Sequence, residues 1–153
     1  MNAPTIPLAR VLAMAYRQII DELHARLASH GYRDVSPTFG YVLLALREAP
    51  KTITEIASLL DVSKQAASKL VDSMASGGYV SRTAHGDDAR AKAVAITARG
   101  SRFLSTVEKI YQEIEGEWTT LTSKKRLEAI RHDLQAIVEA RHAGVLPPIR
   151  PTR

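Results

Sequence analysis

The sequence predicts a mainly α-helical chain with a small β-hairpin wing: a winged helix-turn-helix flanked by N- and C-terminal helices expected to serve dimerisation. The order of its motifs carries that prediction. Thr52-Ile53-Thr54-Glu55 and Ser63-Lys64-Gln65 open two short amphipathic helices on either side of the turn Asp61-Val62. Gly77-Gly78 stops the second helix, and two strand-like runs follow around a charged tip, Asp88-Ala89-Arg90-Ala91-Lys92. On both sides of this core, long stretches repeat apolar residues at three-to-four spacing.

The elements follow in order. Over residues 8–30, Leu8, Leu12, Ala15, Ile19, Leu23 and Leu27 make one apolar stripe, with Pro4 and Pro7 before it and Gly31 after it. Ser36-Pro37 predicts an N-cap with proline at the first helical position. The helix it opens carries Phe39, Val42, Leu43 and Leu46 and stops before Pro50. Thr52 with Glu55 matches a capping box, and Ile53, Ile56, Ala57 and Leu60 fall on one face behind it. Ser63 caps a helix over 64–76 with two opposed faces. Ala67, Leu70, Val71 and Met74 form one, and Gln65, Ser68, Lys69 and Asp72 the other.

Residues 79–83 and 91–96 read as strands, joined by a turn at His85-Gly86-Asp87-Asp88. Val94 and Ile96 alternate with alanines, as in a half-buried ribbon. Thr97 caps the next helix, where Leu104, Val107, Tyr111, Ile114, Trp118 and Leu121 recur close to a heptad. Thr122-Ser123 restarts a last helix with Leu127, Ile130, Leu134 and Ile137. The organisation expected is an N-terminal dimerisation helix (1–32), a DNA-binding winged domain (33–100), C-terminal dimerisation helices (101–143) and an extended basic tail (144–153), whose prolines exclude helix.

Bulk composition narrows the function classes. The 153 residues contain no cysteine, which excludes structural disulfides, cysteine-ligated zinc and thiol-based sensing. The net charge is +5, and it is unevenly placed. Residues 1–62 balance: Arg10, Arg17, Arg26, Arg33, Arg47 and Lys51 stand against Asp21, Glu22, Asp34, Glu48, Glu55 and Asp61. The excess begins at Ser63, as a nucleic-acid face would have it. No apolar run approaches the roughly 20 residues of a membrane span, and Arg10 interrupts any signal-like core. A cytoplasmic location without membrane association is expected.

The central motif suits double-stranded DNA. A helix-turn-helix sets its second helix in the major groove and braces it with the first. Gln65 offers an amide to adenine edges, while Ser63, Lys64, Ser68 and Lys69 reach phosphates or base edges. Asp72 would be repelled by the DNA backbone, so the N-terminal half of the helix should make the contacts. In the wing, Arg90 suits a narrow minor groove, with Asp88 two residues earlier able to hold its guanidinium. Lys92, Arg82 and His85 are placed to meet phosphates. Taken singly, each feature has a plainer reading: a Lys- and Ser-bearing helix face is a solvated surface, and Asp-x-Arg in a hairpin is a weak surface ion pair. The order and spacing of all parts together favour DNA. The alternative is a winged-helix module that binds another protein without reading DNA.

Three segments resemble the MarR family (multiple-antibiotic-resistance regulators). They are residues 61–72, the run Gly78-Tyr79-Val80-Ser81-Arg82, and residues 88–100, which close on Ile96-Thr97-Ala98-Arg99-Gly100. The resemblance covers the layout of the whole chain. It implies a homodimeric transcription regulator, a repressor in many members, whose first and last helices interlock two subunits. Its recognition helices would enter successive major grooves of a pseudo-palindromic operator, with the wings in flanking minor grooves. The matching positions are Ser63 to Lys69, and Arg90 supported by Asp88. It also implies release from DNA by a small aromatic or anionic effector. Met74-Ala75 departs from a more usual Leu-Glu, and the missing cysteine excludes the peroxide-sensing branch.

No cofactor, metal site or catalysis is expected. Asp21 and His24 stand three apart on a helix, a spacing that could pair on a metal, but His30, His132 and His142 have no partner at ligand spacing. Glu113 and Glu117 read as a solvated edge. Tyr111 and Trp118 read as core, as do Phe39 and Tyr41, whose other reading is the wall of an effector pocket. The chain has no nucleophile motif and no glycine-rich phosphate loop.

Overall fold

A computed structural model describes residues 4–85 and 88–151; the side chains of residues 84–91 fall outside the description. The elements run α1 (Leu8–Ser29), α2 (Pro37–Glu48), β1 (Lys51–Thr52), α3 (Ile53–Leu60), α4 (Lys64–Ser76), β2 (Val80–His85), β3 (Asp88–Ile96), α5 (Ala98–Leu121) and α6 (Lys124–Ala140). Helix with a small antiparallel sheet is the fold class read from the sequence.

The sheet differs from the expected hairpin by one strand and by longer strands: His85 and Asp88, read as turn, pair with each other in β2 and β3. Its order is β1-β3-β2, so β3 is central rather than an edge. Lys51 pairs with Val94 and Thr52 with Ala93, while Val80 to Ala84 pair with Ile96 to Lys92. A two-residue strand has no period to detect, and Thr52 reads more strongly as a helix cap. Ala93 and Val94 are both buried, where a half-buried ribbon would bury only alternate residues.

The chain divides into two compact units, Met1–Arg33 with Thr106–Arg131 and Asp34–Ser105 with His132–Arg153. The second holds the helix-turn-helix and the sheet. Its core contains Phe39, Val42, Leu43 and Leu46 from α2, Ile56, Ala57 and Leu60 from α3, and Ala67, Val71 and Met74 from α4. Tyr79 packs edge-on against Phe39 and Phe103, with ring centroids 5.7 and 5.5 Å away. Thr97 ties the start of α5 to the end of α4: its hydroxyl donates to the Gly78 carbonyl at 2.5 Å and accepts from the Gly100 amide at 3.1 Å.

In the first unit, Leu23 and Leu27 of α1 and Val107, Ile110 and Ile114 of α5 are buried. The expected stripe on α1 is therefore buried only in its second half; Leu8 and Leu12 are exposed. On α5 the buried set is wider than a heptad seam, because Phe103 and Ile110 join it, while Leu121 is 88% exposed. Ser123 caps α6 by accepting from the Arg126 amide at 3.2 Å. No residue of α6 is buried, although Leu127, Ile130, Leu134 and Ile137 make a regular stripe. No helix among the described residues is long and apolar enough to cross a membrane.

Candidate nucleic-acid interface

The helix-turn-helix is held by local sequence at the start and end of α3 and at the start of α4. The Thr52 hydroxyl accepts from the Glu55 amide at 3.2 Å, and the Glu55 carboxylate accepts from the Thr52 amide at 2.7 Å, a complete capping box that starts α3. Asp61 ends α3 in the left-handed region, at φ 57°, which Asp tolerates better than most residues with a side chain. The chain thereby reverses in Asp61-Val62 and places Ser63 to begin α4.

Ser63 Oγ accepts from the Ala66 amide at 3.1 Å, so that oxygen is engaged in capping. The amides of Lys64 and Gln65 have no helical carbonyl to bind and face outward from the positive end of the helix dipole. Ala67, Val71 and Met74 are buried. Lys64, Gln65, Lys69 and Asp72 are exposed and Ser68 is half-buried. The spacing of these five residues confines them to one side of the helix. Ala66 and Ser73, which the sequence reading passed over, are exposed on α4 as well. The helix thus presents two ammonium groups, an amide and a hydroxyl from a rigid, buried back.

Arg82, expected to reach phosphate, is engaged elsewhere. Its Nη2 lies 2.5 Å from Asp72 Oδ1, with Ser68 Oγ at 3.5 Å. Asp72, expected only to be repelled by DNA, is thus the partner of a wing-strand cation. Lys92 is exposed on β3. The backbones of His85, Asp88 and Arg90 lie in β2 and β3, but their side chains lie outside the described residues.

The remaining candidates resolve into packing and ion pairs. Glu113 and Glu117, read as a solvated edge, hold Arg26: Glu117 accepts from Arg26 Nη2 at 2.8 Å, and Glu113 and Glu22 lie 3.7 and 3.3 Å from the guanidinium. The Glu117 hydrogen bond is the main reason the Arg26 pKa is raised further. Asp21 is taken by Arg17 Nε at 3.2 Å. Among the described residues, no group of three or more His, Asp or Glu could hold a metal ion. His30 and His142 each set Nδ1 against the carbonyl four residues back, at 2.9 and 2.8 Å, closing the ends of α1 and α6. Burial pushes the Tyr111 phenol above its usual pKa, with Tyr16 adding to the shift. Trp118 is half-buried, as is Tyr41, and Phe39 belongs to the aromatic core around Tyr79.

Residues 33–91 match the model of the MarR family. No curated protein matches the chain. Among solved structures, the chain is similar to the transcriptional regulator Tm0710 from Thermotoga maritima, at 25% identity over 91% of this chain and 98% of that one, with a TM-score of 0.69. It is also similar to apo wild-type MarR from E. coli, at 22% identity over 88% of this chain and 98% of that one, with a TM-score of 0.69. A mutant of S. aureus MepR bound to an oligodeoxyribonucleotide shares the fold too, at 17% identity over 89% of this chain and 99% of that one, with a TM-score of 0.65. The MarR family match thus falls on the winged domain, residues 33–91, within a fold that the chain shares along its length with the solved transcriptional regulator Tm0710.

Proposed function

We propose that the chain is a homodimeric regulator that reads a pseudo-palindromic operator in double-stranded DNA and represses transcription in the cytoplasm. The observation that carries DNA readout is α4 itself: Lys64, Gln65 and Lys69 exposed on a helix whose opposite face is buried and whose N-terminus is capped and aimed outward. Gln65 is assigned to base edges, and Lys64, Ser68, Lys69 and Lys92 to phosphates or base edges. Arg90 is assigned to the minor groove, with Asp88 orienting it. His85 is assigned to phosphate. The oligonucleotide held by the MepR structure supports the same use of the fold.

Exposed apolar side chains support dimerisation. Leu8, Val11, Leu12 and Met14 on α1 are exposed at 41% or more, and Ile130 and Ile137 on α6 at 51% and 58%. A monomer would leave these faces in water. A two-fold dimer would cover them and set two reading helices about 34 Å apart, one turn of DNA. Repression, and release by a small aromatic or anionic effector, are supported by the family resemblance.

Salt dependence tests the reading. Binding to a selected duplex should weaken steeply as salt rises, because each neutralised phosphate releases a counterion. Gln65→Ala should cost about 1–3 kcal/mol and relax preference at one position of each half-site. Equal loss on all sequences would instead make Gln65 a backbone contact. No binding to any duplex at low salt would favour the protein-interaction module.

A further inference from the structure

Asp72 and Arg82 stand on different elements, α4 and β2, ten residues apart across the Gly77-Gly78 stop. A carboxylate on the side of α4 that carries Lys69 costs affinity for a polyanion, and a guanidinium spent on that carboxylate is one not spent on phosphate. Two such costs at one place call for a role other than charge.

We infer that Asp72 and Arg82 are positioning residues, whose ion pair sets the angle between the recognition helix and the wing. The geometry supports that role. Arg82 Nη2 bonds Asp72 Oδ1 at 2.5 Å and has Ser68 Oγ at 3.5 Å, so the guanidinium spans a full turn of the recognition helix. The link that joins α4 to β2 in sequence is a glycine pair, with Gly78 at φ +81°, which by itself restrains the angle little. With side chains 33% and 66% exposed, Arg82 and Asp72 are screened by water in the free protein. DNA docked against both elements would displace that water and strengthen the pair as the complex forms. Base readout by α4 and groove contact by the wing would then be locked in one register.

The inference rests on the DNA-binding reading, and its test uses the full chain with a duplex selected from random sequence by the wild-type protein. Asp72→Arg adds a cation to the DNA face, so charge alone would tighten binding. A broken brace instead weakens it about tenfold, through a like-charge pair. Arg82→Asp should weaken binding as well. Combining Asp72→Arg with Arg82→Asp restores an opposite-charge pair and should return affinity to within about threefold of wild type.

Register gives the second readout. Inserting one base pair between half-site and flank should penalise the wild type and the charge-swapped protein, and penalise either single variant less. Arg82→Lys keeps the charge but replaces the guanidinium with a shorter-reaching ammonium, so it should bind nearly as well while showing a smaller insertion penalty. A pair that merely stabilised the fold would lower the melting temperature of the single variants and leave the insertion penalty unchanged. The brace is overturned by that outcome, by Asp72→Arg binding as tightly as wild type, or by a charge swap as weak as its parents. If the wild type selects no duplex, the DNA reading falls and the brace with it; if it does and the swap fails, only the brace falls.

Discussion

Tyr79→Ala should destabilise the winged domain by about 3–5 kcal/mol, the range for emptying an aromatic site in a core. Tyr79 is 5% exposed and sits between two other rings, Phe39 at an interplanar angle of 68° and Phe103 at 70°. Each edge-on pair contributes beyond buried area, by about 0.5–1.5 kcal/mol. The Arg99 guanidinium lies 4.9 Å from the ring centroid and reaches the phenolic oxygen at 3.3 Å. Truncation therefore removes the residue on which α2, the start of the wing and the start of α5 converge. Tyr79→Phe keeps the rings and loses only the hydroxyl contact, at a cost of about 1 kcal/mol. Urea unfolding of the three proteins checks this; an alanine variant within about 1 kcal/mol of the phenylalanine variant would deny the aromatic core its role.

Gly100→Ala should cost about 3 kcal/mol, at the upper end for overpacking. A Cβ there would collide with the Tyr79 carbonyl oxygen and meet Ile96 Cγ1 at 2.8 Å and Leu43 Cδ2 at 3.2 Å. Side chains can turn aside, but the carbonyl belongs to the backbone that accepts from the Thr97 amide at 3.1 Å. Yielding would disturb the junction of wing and α5. Gly116, on the same helix, has nothing within 4 Å of its added Cβ. Gly116→Ala should accordingly stabilise by about 1 kcal/mol through helix propensity. Opposite signs for two identical substitutions on one helix are the expected result in thermal or urea melts, and a destabilised Gly116→Ala or a neutral Gly100→Ala would contradict it.

These glycines show where reading a sequence stops. Gly77-Gly78 announced itself as a helix stop because it follows an amphipathic run. Gly100 lay inside a helical pattern, and its need for hydrogen in place of Cβ comes from Leu43 in α2, Tyr79 in the link between α4 and β2, and Ile96 in β3. The same division runs through the interface. Thr52, Glu55 and Ser63 were legible as caps, since capping is chemistry between residues three apart. Gln65 and Lys69 were legible as an outward face, since burial on a helix follows its period. Arg82 was legible as a cation at the start of the wing, yet its engagement with Asp72 was not, because no period links a helix residue to one on a strand beyond a turn.

What the sequence determined alone is therefore local: helix starts and stops, the apolar stripes, the middle of the two wing strands and the place where positive charge gathers. Their causes, capping hydrogen bonds and a repeat of 3.6 or 2 residues, act within one or two turns of chain. Only the tertiary structure decided that Lys51-Thr52 adds a third strand, that Phe103 and Ile110 join the core, that Glu113 and Glu117 clasp Arg26, and that Asp72 holds Arg82. Each of these depends on which faces meet. Interactions between residues far apart in sequence are selected by the closure of the whole fold, and no local pattern records them.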